Sequence, residues 1–181
     1  MILLASKSSG RLATLRAAGV EPLVRVSSVD EETVLGELIR GRRDAGLPAP
    51  SAAEQVQALA RAKALDVMTS TDPQEAEVVV GCDSMLEIAG QVVGKPADAA
   101  QARERWRMMS GGTGTLHTGH FLVRTADGTT AEGVSSATIR FGSPSPAEVE
   151  AYIASGEPLW CAGAFTIDGL GGAFIEGIDG D

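Results

Sequence analysis

The sequence has few cysteines, few aromatic residues and little positive charge. Two cysteines, Cys82 and Cys161, among 181 residues are too few for a disulfide scaffold and indicate free thiols in a reducing cytoplasm. Aromatic residues make up 4% of the chain and hydrophobic residues 44%, which predicts a core of Val, Leu, Ile and Ala. The formal net charge of −9 argues against non-specific nucleic-acid binding, which needs a basic surface. A polyanionic ligand would therefore need a few converging cations or a metal ion.

Long hydrophobic runs are also absent from the sequence. No stretch approaches the roughly 18 apolar residues of a membrane span. The apolar run at residues 2–5 is shorter than the roughly 7–15 residues of a signal peptide, and cations follow it instead of preceding it. The sequence shows no internal repeat, and its length suits one domain with a sizeable core. We therefore expect a single cytoplasmic domain without a membrane segment.

What the sequence does contain is an alternation of strand-like and helix-like segments. Apolar runs predict strands at residues 2–5, 23–29, 77–88, 115–125, 130–142 and 173–178, with a turn and a short strand in 90–98. Capping residues and helical spacing predict helices over residues 8–19, 52–68, 98–109 and 145–155. Residues 40–51 (RGRRDAGLPAPS) are predicted to form an exposed loop. Strands interleaved with helices, together with one long hairpin, predict an α/β fold with a mixed sheet.

The turn SKSSGR at residues 6–11 is the first candidate site. It lies between a predicted strand and a predicted helix, where backbone N–H groups and the helix dipole favour anions. Ser6, Ser8 and Ser9 add hydroxyl groups, and the Arg11 guanidinium suits phosphate geometry. The alternative interpretation is an ordinary capped surface helix.

Four charged residues further along the chain are also candidates. Asp83 lies in an otherwise apolar strand, where a carboxylate is costly to bury unless it is paired, metal-bound or at the strand end. Lys63 lies on the apolar face of its helix. One interpretation is a lysine at the edge of the core whose ammonium group reaches solvent, and the other is a cation directed into a cleft. Lys95 precedes a proline, as in many simple turns. Glu31 follows a predicted strand and gains a chemical role only if it meets Asp83, so that both share a divalent ion with substrate phosphates.

Two other patterns carry less information. His117 and His120 are three residues apart on a predicted strand, so their side chains face opposite sides and do not suit one metal ion. No Cys and His cluster in the sequence has zinc spacing. GLGG at 169–172 lacks the preceding strand and following helix of a dinucleotide-binding motif, and we interpret it as a tight turn.

The order of these segments along the chain resembles that of the Maf family. The matching segments run from residue 2 to the end: LLASKSSGR, VDEE, LARAKA, VGCDSM, GKPAD, MSG, SGEP and CAGAFTIDGLGGAFIEGIDGD. The resemblance implies one domain over residues 1–181 with the inosine-triphosphatase-like fold. That fold is a mixed, elongated and twisted sheet with flanking helices and two lobes around a central cleft. The implied activity is hydrolysis of a nucleoside triphosphate, standard or modified, to the monophosphate and diphosphate. The resemblance also implies a divalent cation (Mg²⁺ or Mn²⁺) as cofactor, a cytoplasmic location and, often, assembly as a homodimer.

The resemblance also implies roles for individual residues. Asp83 matches the acidic residue of the family's Ala-Asp-Thr motif, which implies a general base that acts on water attacking the α-phosphorus. Glu31 matches the family's strand-terminal acid and is expected to bind the metal ion together with Asp83. Ser84 and Asp168 fall on positions linked to recognition of the base. The expected phosphate-binding residues are Ser6, Ser8, Arg11, Lys63 and Lys95.

Departures from the family pattern leave the preferred base and a second function open. The family's Ser-Pro-Arg-Arg has Gly10 in place of its first arginine, Ala-Asp-Thr becomes Cys-Asp-Ser, and Gly114 replaces the usual histidine. Asp168 replaces the family's Gln or Glu, and the family's final strand and helix are expected to be missing after IDGD. The alternative function is a nucleotide-binding regulator of cell division and septum formation with little catalysis. A third is a related house-cleaning enzyme acting on a purine such as inosine triphosphate.

Overall fold

A computed structural model describes residues 1–72 and 74–180, so the last residue of the family motif at 161–181 lies outside it. The described strands are β1 (Ile2–Leu4), β2 (Leu23–Val24), β3 (Val78–Ile88), β4 (Gln91–Val93), β5 (Thr113–Arg124), β6 (Thr130–Phe141) and β7 (Ile175–Gly180). The described α-helices are α1 (Ser9–Ala17), α2 (Glu31–Asp44), α3 (Ala52–Met68), α4 (Ala99–Met109) and α5 (Pro146–Ala154). Short 3-10 helices cover Glu157–Trp160, Ala162–Ala164 and Leu170–Phe174.

The described strands form one mixed, open sheet, which confirms the α/β prediction. Its order is β2-β1-β3-β5-β6-β7, and β4 pairs with β3 outside this path. Strand β1 is parallel to both of its neighbours, with Leu4 opposite Val24 of β2 and Val80 of β3. The pairs β3–β4 and β6–β7 are antiparallel. The carboxyl ends of β1, β2 and β3 therefore point in the same direction.

The chain divides into two compact units, of which the first comprises residues 1–83 and 118–134. Helix α3 begins with a capping box in which Ser51 and Glu54 each bond the other's backbone N–H. The described core of this unit is aliphatic apart from Phe121, as the composition predicts. One cluster of its buried residues consists of Leu3, Ala5, Ala60, Ala64, Val67, Ala76, Val79, Phe121 and Val123.

Gly81 lets α3 approach β3 closely. A Cβ atom at this position would overlap the carbonyl oxygen of Ala60 and lie 2.8 Å from the Cβ of Ala64. Lys63 lies on the same helix between these two alanines. The missing side chain at Gly81 therefore sets the spacing between the helix that carries Lys63 and the strand that carries Asp83.

We expect Gly81→Ala to lower the free energy of unfolding by about 3 kcal/mol, because the new methyl group meets helix backbone that has no room to move. Urea unfolding at unchanged m-value measures this loss. Gly133→Ala is the matched control in the same unit, since a Cβ there meets nothing within 4 Å. We expect the control to change stability by less than about 0.5 kcal/mol. Equal stability of the two variants would show that Gly81 does not set the helix–strand spacing.

The second unit comprises the described residues of 84–117 and 135–181, and its core combines aromatic with aliphatic residues. Trp106 makes edge-to-face contacts with Phe141, Tyr152 and Phe174 at centroid distances of 6.1, 5.7 and 5.4 Å. Its indole N–H donates to the Ala164 carbonyl at 2.9 Å. The predicted core of Val, Leu, Ile and Ala is incomplete for this unit, because most of the few aromatic residues are concentrated here. Average composition does not reveal how residues are distributed.

Helix α2 corrects two predictions. Residues 40–44 of the predicted loop are helical, and Glu31 begins this helix instead of ending a strand. The Asp30 carboxylate caps the helix by accepting the N–H groups of Glu32 and Thr33. Val34, Leu35, Leu38 and Ile39 recur at helical spacing in this segment, although none of the helix residues is fully buried.

Two predicted strands have different bounds in the structure. The strand predicted at 23–29 is only Leu23–Val24, and Ser28 further along bonds the Asp66 carboxylate through its backbone N–H and hydroxyl. The last strand begins at Ile175 because the preceding residues form the 3-10 helix Leu170–Phe174. Across the residues that the structure describes, no helix combines the length and apolar character needed to cross a membrane.

Candidate active site

Three of the candidate residues lie just beyond the paired parts of neighbouring parallel strands in the first unit. Ser6 is two residues after β1, Glu31 begins the helix after β2, and Asp83 lies within β3, three residues beyond its last β1 partner. In open α/β sheets, ligands bind at the edge formed by the carboxyl ends of parallel strands. The topology therefore explains why segments far apart in sequence contribute to one polar site.

Lys63 joins the two carboxylates of this site. Its Nζ lies 2.5 Å from Asp83 Oδ1 and 2.7 Å from Glu31 Oε1. The Lys63 and Asp83 side chains are 12% and 11% exposed, whereas the Glu31 side chain is 55% exposed. From the sequence, Glu31 and Asp83 are a pair of carboxylates only on the condition that they meet. In the structure both contact the Lys63 ammonium group.

The environment of Asp83 changes its acidity. Burial raises the pKa of this carboxyl above its ordinary value, and the nearby Glu31 carboxylate adds to the rise. Lys63 and Arg11 act in the opposite direction without cancelling it. A carboxylate with a raised pKa is a better proton acceptor than an exposed aspartate, as the role of general base requires.

The turn at residues 6–11 is both a helix cap and part of the site. Ser8 is the N-cap of α1 and accepts the Arg11 N–H, while the buried Ser6 hydroxyl accepts the Ser8 N–H at 3.2 Å. Arg11 Nη1 donates to Ser6 Oγ and to the Cys82 carbonyl, each at 2.9 Å. These bonds fasten the guanidinium to the residue that precedes Asp83. Burial raises the pKa of the Cys82 thiol, so this cysteine is a poor nucleophile.

The other predicted substrate-binding residues belong to the second unit. Ser84 follows Asp83 in β3 and is half-buried, and Lys95 is exposed between β4 and α4. Asp168 is exposed before the last 3-10 helix, and its N–H donates to Thr166 Oγ1 at 3.2 Å. Their roles in substrate recognition stay predictions.

Glu157 is a functional candidate that the sequence reasoning missed, and it explains the GLGG segment. Its carboxylate accepts the N–H groups of Leu170 and Gly171, both at 3.0 Å, and the Tyr152 hydroxyl at 2.9 Å. Burial pushes the pKa of Glu157 upward, but these hydrogen bonds together bring it below its ordinary value. The glutamate of SGEP thus fixes the segment that follows Asp168. No local sequence pattern predicts this contact between Glu157 and Leu170, which are 13 residues apart.

A second missed residue is Arg105, a buried arginine on α4. The sequence indicates this residue by its spacing, because Arg105 falls on the same helix face as Ala102, Trp106 and Met109. The structure shows that all four residues are buried. The hydrogen bonds of Arg105 run to the loop that carries Lys95 and are described below.

The two histidines take part in hydrogen bonding. His117 Nδ1 lies 2.9 Å from Ser136 Oγ, and its Nε2 lies 3.3 Å from Glu87 Oε2. The His120 carbonyl accepts a hydrogen bond from Gln57. Within residues 1–72 and 74–180, no group of three or more His, Cys, Asp or Glu side chains suits a metal ion.

The donor set at the first site nevertheless fits a divalent cation that arrives with its substrate. Mg²⁺ is usually bound by one or two carboxylates together with substrate phosphates and waters. Glu31 and Asp83 provide two hard oxygen ligands that already converge on one positive charge. The residues present therefore suit such an ion without a complete protein cage.

The fold and site define an open α/β protein with paired acids and cations at the carboxyl edge of its parallel strands. The chain belongs to the Maf-like protein family, whose sequence model matches residues 1–181. A nucleoside triphosphate pyrophosphatase of Mycobacterium sp. (strain JLS) is 49% identical over 185 residues, covering 99% of this chain and 84% of its own length. The Rhodococcus jostii protein of the same name is 50% identical over 98% of this chain and 82% of its own. The nucleoside triphosphate pyrophosphatase of Streptomyces coelicolor is 48% identical over 99% of this chain and 81% of its own length.

Proposed function

We propose that this protein is a nucleoside triphosphate pyrophosphatase, which hydrolyses its substrate to a nucleoside monophosphate and diphosphate. The observation that carries the proposal is the Glu31–Lys63–Asp83 cluster, with Arg11 fastened beside it. The names of relatives about 49% identical over nearly the whole chain support it. A site with both signs of charge also explains how a protein of net charge −9 accommodates a polyanion.

In this mechanism Asp83 is the general base. It accepts a proton from water as the water oxygen bonds the α-phosphorus, and the bond from that phosphorus to the bridging oxygen breaks. Diphosphate leaves with the bonding electron pair. Lys63 orients the Asp83 carboxylate, and Lys63, Arg11 and the serines at 6 and 8 stabilise the negative charge on the phosphates. Lys95 is proposed to add a further phosphate contact.

The proposed cofactor is Mg²⁺ or Mn²⁺, with Glu31 and Asp83 as its protein ligands. When bound, such an ion neutralises phosphate charge and polarises the phosphoryl oxygens. Ser84 and Asp168 are proposed to contact the base. A cytoplasmic location agrees with the two cysteines, Cys82 and Cys161, being free thiols. Assembly as a homodimer is a further part of the proposal.

A panel of standard and modified nucleoside triphosphates, each incubated with Mg²⁺ or Mn²⁺, tests the function and the base preference together. We expect stoichiometric monophosphate and pyrophosphate for the preferred base, and loss of turnover after chelation. Release of orthophosphate alone would contradict attack at the α-phosphorus. Tight nucleotide binding without any hydrolysis would favour the alternative of a nucleotide-binding regulator of cell division.

A further inference from the structure

Arg105 is a buried cation on an apolar helix face of the second unit. The residue is 7% exposed, and its neighbours on that face, Ala102, Trp106 and Met109, are 1% exposed or less. Arginine is almost never buried to this extent unless its guanidinium has partners. Its partners should therefore reveal what the charge does.

The guanidinium of Arg105 binds the loop that leads from β4 to α4. Nη1 donates to the Gly94 carbonyl, and Nη2 donates to the Lys95 carbonyl at 3.2 Å and to Gln101 Oε1 at 3.0 Å. The same Gln101 oxygen accepts the Ala97 N–H at 2.8 Å. Arg105 and Gln101 thus hold this loop at Gly94, Lys95 and Ala97.

The acceptors of Arg105 are all neutral oxygen atoms. Burial lowers the pKa of its guanidinium, but an arginine keeps its charge in proteins. Among the described residues, no carboxylate forms an ion pair with it at 4 Å or less. A buried charge without a counter-charge is expensive, so a purely structural role would be served better by an apolar residue of similar size. The planar fork of arginine is suited to fixing two consecutive carbonyl groups, which an apolar side chain cannot do.

We propose that Arg105 is a positioning residue that holds the Gly94–Ala97 backbone and thereby presents the Lys95 ammonium to the substrate phosphates. The inference rests on the proposed function, because it takes Lys95 as a phosphate-binding residue. Lys95 is exposed on a flexible stem, so its contribution depends on how rigidly its backbone is held. Fixing the loop before substrate arrives removes an ordering cost from each binding event.

The test is a double-mutant cycle between Arg105 and Lys95. We expect Arg105→Met to lower kcat/KM for the preferred triphosphate about 10-fold, mainly through KM, and Arg105→Lys to recover part of the loss. In a Lys95→Met background, Arg105→Met should change kcat/KM by less than about 2-fold, because the residue through which it acts is gone. An equal loss in both backgrounds would overturn the proposal and leave Arg105 a merely structural role.

Two controls keep the result interpretable. Arg103→Met makes the same change on the same helix but removes an ion pair with Glu150, so we expect unchanged kcat/KM. If Arg105→Met does not fold, Gln101→Leu removes the oxygen shared by Arg105 and Ala97 at an exposed position, and the same cycle with Lys95→Met applies.

Hydrogen exchange separates failure of this inference from failure of the proposed function. The Ala97 amide, which donates to Gln101, should exchange at least 10-fold faster in Arg105→Met than in the original protein. Unchanged exchange would overturn the positioning role whatever the enzyme does. A protein that releases no pyrophosphate but shows the faster exchange would contradict the function and leave loop fixation by Arg105 intact.

Discussion

Asp83→Asn is expected to lower kcat for pyrophosphate release by a factor of about 10² to 10⁴, the range that a general base contributes. The amide keeps the size of the carboxyl group but cannot accept a proton from water. Steady-state release of pyrophosphate, with substrate binding measured separately by calorimetry, distinguishes lost chemistry from lost affinity. Asp44→Asn, a change in an exposed carboxylate at the end of α2, is the control and should leave kcat unchanged. Full activity of Asp83→Asn would contradict the mechanism.

The same substitution is expected to leave the metal-free protein as stable as before, or more stable, at pH 7, because the Lys63 ammonium keeps Glu31 as its counter-charge and can still donate to the new amide oxygen. A raised pKa means that folding disfavours the ionised form of Asp83, so ionisation costs stability as the pH rises through the folded-state pKa. That cost disappears below the pKa of the aspartate in the unfolded chain, which is about 3.9. The stability advantage of Asp83→Asn should therefore be present at pH 7 and vanish near pH 3.5. Thermal unfolding across this range measures it.

Lys63→Met is expected to have the opposite effect on stability and a similarly large effect on activity. It leaves Asp83 buried beside the Glu31 carboxylate without the ammonium that both contact, and removing one partner of a buried pair costs about 3–5 kcal/mol. We expect kcat/KM to fall about 100-fold, because the proposed general base and the substrate phosphates both lose a cation. Urea unfolding and steady-state kinetics measure the two effects.

Divalent ions provide a second readout for Lys63→Met. Two uncompensated carboxylates attract a cation, so Mg²⁺ should stabilise this variant more than it stabilises the original protein. Lys63→Arg retains the charge and should lose less stability than Lys63→Met. Arg16→Met, which breaks an exposed pair with Glu21, is the control and should change stability by less than about 1 kcal/mol. If Lys63→Met is no less stable than this control, Lys63 does not compensate the two acids.

Local chemistry allowed much of the secondary structure to be predicted. Helix α3 has its predicted bounds, 52–68, because Val56, Leu59, Ala60 and Val67 recur at helical spacing. Helices α4 and α5 lie within the predicted ranges 98–109 and 145–155, and Asp98 and Ser145 are their N-caps. Helix α2 was missed although Val34, Leu35, Leu38 and Ile39 recur at helical spacing after the cap Asp30, because the charges, glycines and prolines of residues 40–51 indicated a loop.

The sequence by itself determined which residues are chemically unusual: a carboxylate in an apolar strand, Asp83, and a lysine on an apolar helix face, Lys63. Only the tertiary structure decided that these two meet Glu31. That meeting depends on the parallel pairing of β1 with β2 and β3 and on the close approach of α3 at Gly81. Likewise, the proposed positioning role of Arg105 depends on hydrogen bonds to the Lys95 and Gly94 carbonyl groups, which are 10 and 11 residues away in the sequence. Propensities and caps act over a few residues, whereas these contacts join distant segments through packing, which no local pattern encodes.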